Sequence, residues 1–221
     1  MQSLITTILD STLIVEVLAV IIASLKCSNT NEKSKRRLLI YMGLFLIVEI
    51  IAFTMNKLNV PNNQWLYNLF GVIEVWLLFS IINTYITKSY KRIIKFLLIL
   101  SYIAIIINAL FFSTPFLMEY FNYGFAIYSA LICIACFMLL YDLLRSDDVL
   151  EIHRHFSFWF VLGVVIYNLC KMPLAIISNI YQELFSYDSP VILIQPISFL
   201  LMYVCFIIGY LWSKDTNYSS T

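Results

Sequence analysis

Charged residues are rare in this sequence. Lys, Arg, Asp and Glu make up 12% of its 221 residues, whereas hydrophobic residues make up 62%; a soluble domain carries about 25% charged residues. Glycine and proline are also scarce, with five of each, while Tyr and Phe are abundant. This composition excludes a soluble globular domain, and a net charge of +1 leaves no broad basic surface for nucleic acid. The sequence is typical of an integral membrane protein.

Recognisable chemical motifs are absent as well. The five cysteines are scattered and odd in number, so they form no disulfide or zinc framework. Cys133 and Cys136 lie inside an apolar run, where small cysteines suit helix packing. The sequence contains no Ser/His/Asp, HExxH, Walker or dinucleotide fingerprint. We therefore expect neither an enzyme nor a bound cofactor or metal.

Long apolar runs occupy most of the chain. About 20 apolar residues are needed to cross about 30 Å of hydrocarbon. Seven runs meet this requirement, at residues 4–25, 38–56, 65–86, 93–113, 120–143, 157–180 and 191–212. The loops between them are too short to fold separately. The predicted fold is all-α, a bundle of seven transmembrane helices that forms a single domain over residues 1–221.

The basic residues are distributed unevenly between the loops. The first loop and its edges contain Lys26, Lys33, Lys35, Arg36 and Arg37, and the third loop is also basic, whereas the second has only Lys57. Basic loops stay in the cytoplasm. This pattern predicts an external N-terminus and a cytoplasmic C-terminus, in the cytoplasmic (inner) membrane of a bacterium.

Three spans carry one glutamate each in an apolar run: Glu16 in LIVEV, Glu49 in LIVEI and Glu74 in VIEV. Counting about 1.5 Å per residue from the span ends puts each roughly 15 Å deep. We therefore expect the three carboxyl groups at one level, facing the bundle interior because small or polar residues share their helix faces. Intramembrane acids are expensive and are often functional. They predict a proton- or cation-binding centre, with interhelical hydrogen bonds as the structural alternative.

A set of polar residues lies in the outer half of the predicted spans. Lys171 is the only basic residue deep in a span, and its side chain could reach Glu49 or Glu74 or extend to the membrane surface. The predicted ligand-binding residues are Lys171, Asn168, Gln195, Asn108, Asn68 and Tyr67. They favour a cavity that opens outward, although polar residues near span ends also contact lipid headgroups.

Three functions are compatible with these features. The first is a small transporter or carrier that binds a proton or cation at the glutamates and a small polar solute from outside. The second is a sensory or signalling module that acts through a separate cytoplasmic protein, and the third is a non-catalytic subunit of a membrane protein assembly. The lipid bilayer is the expected environment in each case, and no nucleic acid partner is expected.

Two resemblances accompany this interpretation. Seven spans with an external N-terminus are similar to the topology of small sugar transporters of the SWEET type, which implies two triple-helix halves joined by span 4. The Pro-Gln pair typical of that family's repeats is missing, because the order here is Gln195-Pro196. The segment Leu66–Val75, LYNLFGVIEV, resembles uncharacterised multi-span membrane proteins of Bacteroidota, a resemblance that implies no activity. Span 7 lacks the lysine that a rhodopsin needs.

Overall fold

Seven long helices follow the apolar runs of the sequence. A computed structural model describes residues 2–28, 32–58, 60, 62–111, 121–145, 149–180 and 190–213. The helices are α1 (Gln2–Cys27), α2 (Lys33–Lys57), α3 (Gln64–Tyr85), α4 (Lys91–Phe111), α5 (Asn122–Leu144), α6 (Phe156–Ile180) and α7 (Ile194–Trp212). Short 3-10 turns, Val149–Arg154 and Pro190–Leu193, precede α6 and α7. These described residues contain no strand, which confirms the all-α prediction for them.

Six of these helices, α2 to α7, are long and apolar enough to cross a membrane. The multi-pass membrane architecture therefore follows from the helices themselves. The first helix is 26 residues long, and its crossing, like the orientation of the termini, stays a prediction. Residues 112–120, 181–189 and 214–221 and the side chains of residues 1–10 lie outside the described part of the chain.

The described helices form a closed ring in chain order. Each helix packs against the next one along the chain, α1 packs against α7 to close the ring, and α3 also contacts α5. In this arrangement α4 lies between α3 and α5 as an ordinary member of the ring. The ring therefore differs from the two joined triple-helix halves that the SWEET-type topology implies.

The sides of α1 show why this ring suits a membrane. Ile14, Leu18 and Ile21 are exposed, whereas Glu16 and Ala19 on the other side are buried. Exposed isoleucine and leucine are favourable against lipid tails, and small residues allow helices to approach closely. The bulky apolar side of this helix is therefore the side suited to lipid, and the polar side faces the bundle.

Two glycines permit close contacts around α5. A Cβ atom on Gly124 would lie 3.0 Å from the backbone of Ile105, so α4 and α5 are in near-backbone contact there. A Cβ atom on Gly71 of α3 would collide with the Phe125 ring of α5. Glycine at position 71 therefore allows Phe125 to project into the centre of the bundle.

Polar contacts tie the helices together at one end of the bundle, where α2, α4 and α6 begin; we call it the basic end. The Tyr210 hydroxyl donates to the Lys35 carbonyl at 2.7 Å, and Ser34 hydrogen-bonds with Tyr85. Arg37 donates to the Ser80 carbonyl at 2.9 Å. The bonds of Ser34 and Arg37 place the first turns of α2 beside the last turns of α3, and the bond of Tyr210 places them beside the last turn of α7.

Candidate functional site

A buried ion pair lies at the centre of the ring. The Lys171 Nζ of α6 is 3.4 Å from the Glu74 Oε2 of α3, and the two side chains are 8% and 4% exposed. The hydroxyl of Tyr41 on α2 donates to the other oxygen, Oε1 of Glu74, at 3.3 Å. Of the two partners that the sequence allows for Lys171, the structure thus selects Glu74. We call Glu74 and Lys171 the central ion pair.

Aromatic rings surround the ammonium group of this pair. The Lys171 Nζ lies 5.4 Å from the ring centre of Phe125, 5.9 Å from that of Tyr128 and 5.3 Å from that of Tyr167. A ring within about 6 Å attracts a cation through its quadrupole. The rings therefore compensate part of the hydration that Lys171 loses on burial, and Gly71 contributes by leaving room for Phe125.

The other two glutamates form a second group, which we call the acid pair. Glu49 on α2 accepts a hydrogen bond from the Tyr67 hydroxyl at 3.3 Å. Glu16 on α1 is 2% exposed, and its carboxyl group lies within electrostatic range of Glu49. The Oε2 atom of Glu16 is buried without a hydrogen-bond partner among the described residues. Within the same part of the chain, neither acid forms a salt bridge.

Tyr203 of α7 lies near both groups. Its side chain is 1% exposed, and it is within electrostatic range of Glu16, Glu49 and Glu74. Its hydroxyl is buried with no hydrogen-bond partner in the described structure. A buried hydroxyl without a partner costs free energy, so it calls for a physical explanation such as a bound ion or water.

The carboxyl groups do not share one level, which corrects the expectation from the sequence. Tyr41 and Glu49 are about 12 Å apart along α2, and Tyr67 and Glu74 are about 10 Å apart along α3, at about 1.5 Å per residue. Because Tyr41 bonds Glu74 and Tyr67 bonds Glu49, Glu49 lies farther from the basic end than Glu74 does. The sequence estimate measured depth from the ends of the apolar runs. Those ends are not level with one another in the bundle, because Arg37, which directly precedes the apolar run of α2, contacts Ser80 inside α3.

Two of the predicted ligand-binding residues have a structural role. The Asn68 Oδ1 accepts a hydrogen bond from the Phe121 N–H at 3.1 Å, and the Asn108 Oδ1 accepts one from the Gly124 N–H at 2.7 Å. The first amides of a helix have no partner within the helix. Asn68 and Asn108 therefore cap α5 from the neighbouring helices α3 and α4.

Asn168 and Gln195 lie in different environments. Asn168 is fully buried near Lys171 on α6, where its Nδ2 donates to the Val164 carbonyl at 2.8 Å. Its Oδ1 is buried without a partner among the described residues. Gln195 is exposed in the first turn of α7. Asn168 thus shares the central region with Lys171, whereas Gln195 lies at the end of the bundle.

Sequence reasoning named Tyr67 but missed the other tyrosines of the site. Tyr41, Tyr128 and Tyr203 are among the largest fully buried side chains of the protein, and each lies well inside its helix. Membrane tyrosines are usually enriched at the interfaces, so a tyrosine deep in a span was the signal that could have identified them.

Within the described residues, no group of three or more His, Cys, Asp or Glu side chains could hold a metal ion.

No protein-family model, curated protein or solved structure matches this chain.

Proposed function

We propose that this protein is a small multi-pass carrier of the bacterial cytoplasmic membrane. It moves a small polar solute, and buried carboxyl groups bind a proton or another cation during transport. The basic end faces the cytoplasm, as the positive-inside rule predicts. The central ion pair is the observation that carries the proposal, because Glu74 and Lys171 meet in the middle of an apolar ring.

A purely structural role explains this pair poorly. Two charges lose their hydration on burial, and replacing such a pair with apolar residues is often neutral or stabilising. In a chain with only 12% charged residues, a Lys–Glu pair supported by Tyr41 and three aromatic rings is an expensive feature. Intramembrane ionisable residues of this kind often belong to solute or proton pathways.

The geometry also supports a mechanism for exchange. A proton on Glu74 would neutralise its carboxylate and weaken its attraction to Lys171, whose ammonium group would then be free to bind an anionic or polar group of the solute. The buried Asn168 Oδ1, which has no partner among the described residues, offers an acceptor in the same region. Solute release would restore the ion pair.

Transport by reconstituted vesicles tests this proposal. The purified protein would be placed in proteoliposomes with an internal pH dye and offered a panel of small organic acids, amino acids and sugars. We expect uptake of at least one solute with a change in internal pH, and a loss of at least about tenfold in Glu74→Gln and in Lys171→Met. Glu151→Gln is the matched control, because Glu151 is exposed outside the helical ring.

Absence of uptake across the whole panel would contradict the carrier, as would native uptake in both central variants. The sensory module predicts a cytoplasmic protein that co-purifies with the chain, and the assembly subunit predicts membrane chains that do so. No contact among the described residues favours either over the carrier. A carrier is expected to transport in vesicles that contain this chain alone.

A further inference from the structure

We propose that Glu16, Glu49 and Tyr203 form a binding site for a hard monovalent cation, separate from the central ion pair. Sodium is the probe we name for it. The role of this site in coupling rests on the proposed carrier function, but the binding itself does not.

The first step of the argument is the charge of the acid pair. Glu16 and Glu49 lie on the adjacent helices α1 and α2, within electrostatic range of each other. The one lysine of the central region is paired with Glu74, and neither acid has a salt bridge in the described structure. Two carboxyl groups without a basic partner inside a membrane need a cation or a proton to offset them.

The second step is independent of the acids. The Tyr203 hydroxyl comes from α7, is buried, and has no hydrogen-bond partner among the described residues, although Tyr203 lies within electrostatic range of Glu16 and Glu49. The Glu16 Oε2 atom is also buried without a hydrogen-bond partner among the described residues. An orphaned hydroxyl oxygen and an orphaned carboxyl oxygen from two helices are both suitable ligands for one ion.

The chemistry of the ligands selects the class of ion. Every candidate ligand is an oxygen, and hard cations prefer carboxylate, carbonyl and hydroxyl oxygens. A calcium ion takes six to eight oxygens, whereas the described part of the site supplies two carboxyl groups, since Glu74 is engaged by Lys171. The absence of a three-acid group from the described residues agrees with this. The small number of oxygens thus fits a monovalent ion better than calcium.

Protons compete for the same oxygens. The titratable groups within electrostatic range of the acid pair are Tyr67 of α3 and Tyr203 of α7, and Tyr167 of α6 is within range of both tyrosines. The Tyr67 hydroxyl donates a hydrogen bond to Oε1 of Glu49. The Oε2 atom of Glu49 is therefore available to an ion. Protonation of Glu16 or Glu49 removes the negative charge that holds the cation, so we expect sodium to bind more weakly at pH 6 than at pH 8.

Direct binding of radioactive sodium to the purified protein in detergent tests the site without any transport. We expect saturable binding at pH 8 that is at least about tenfold weaker at pH 6. Glu16→Gln and Glu49→Gln should each weaken binding at least about tenfold, and Glu151→Gln should leave it unchanged. Tyr203→Phe keeps the ring and removes only the hydroxyl, so it provides a variant that folds even if the glutamine variants do not; we expect it to bind about fivefold more weakly.

Absence of saturable sodium binding at both pH values would overturn the proposal. Native affinity in folded Glu16→Gln, Glu49→Gln or Tyr203→Phe would also overturn it. Sodium binding by a protein that transports nothing would leave this site intact and contradict the carrier. Transport without sodium binding would contradict this site and support the carrier. The two proposals therefore fail separately.

Discussion

Lys171 and Glu74 each stabilise the other in a place where either charge alone would be unfavourable. Their side chains are almost fully buried and meet at 3.4 Å. Removing one member of such a pair leaves an uncompensated charge and costs about 3–5 kcal/mol, whereas removing both charges can be close to neutral. The aromatic rings and Tyr41 cannot replace the missing partner, because they carry no charge.

This asymmetry gives a prediction for unfolding. We expect Lys171→Met alone to lower the free energy of unfolding by about 3 kcal/mol and the double variant Lys171→Met/Glu74→Gln to recover most of that loss. Thermal or denaturant unfolding in detergent measures both.

The exposed pair Glu151–Arg154, with side chains 54% and 39% exposed, is the matched control for this cycle. An exposed ion pair contributes about 0–1 kcal/mol, so the same cycle at Glu151 and Arg154 should show little coupling. Equal coupling in the two cycles would contradict the central role of the buried pair.

At the level of the helices, α5 depends on its neighbours for its first turn. Asn68 of α3 and Asn108 of α4 accept hydrogen bonds from the first amides of α5, at Phe121 and Gly124. The Asn68 and Asn108 side chains are buried, so water cannot easily replace these bonds. Phe125 and Tyr128 of α5 supply two of the rings around Lys171. The hydrogen bonds from Asn68 and Asn108 therefore help to position the central site.

The variant Asn108→Ala tests this capping role. It leaves the Gly124 N–H without the bond from Oδ1, and we expect a loss of about 1–3 kcal/mol in unfolding free energy, measured by thermal unfolding. Asn56→Ala is a suitable control because Asn56 is exposed and bonds only at the surface to Asn63; its effect should be small. If Asn108→Ala unfolds like the native protein, the cap contributes nothing to stability.

For the whole molecule, the ring has two ends of different character. The basic end joins α2, α3 and α7 through Tyr210, Lys35 and Arg37. Glu49 of the acid pair lies nearer the opposite end than Glu74 does. A cation that entered from outside would thus meet Glu49 before the central ion pair, if the basic end faces the cytoplasm.

Cysteine labelling in intact cells checks that orientation. In a background without the native cysteines, Val60→Cys marks the loop between α2 and α3, and Ser89→Cys marks the loop between α3 and α4 at the basic end; both positions are exposed. We expect an impermeant maleimide to label residue 60 in intact cells and residue 89 only after permeabilisation. The opposite pattern would mean that the basic end faces outward.

The residues that a helix buries are harder to predict than the helix itself. The apolar runs predicted each helix to within a few residues, because the thickness of the bilayer sets the length of a span regardless of its neighbours. The inward side of α1 was predicted for the same local reason, since Glu16 and Ala19 share a helix face. The depth of Glu49 relative to Glu74 was wrong, because it depends on how far α2 slides along α3.

The sequence by itself determined an all-helical membrane protein with three acids and one lysine inside its spans, because hydrophobicity and charge act at each residue and within each helix. Only the tertiary structure decided that Lys171 pairs with Glu74, that Tyr41, Tyr128 and Tyr203 line the centre, and that Asn68 and Asn108 cap α5. These contacts join residues far apart in the chain. They follow from the order of helices in the ring and from the axial shift between neighbouring helices, neither of which is encoded in any single span.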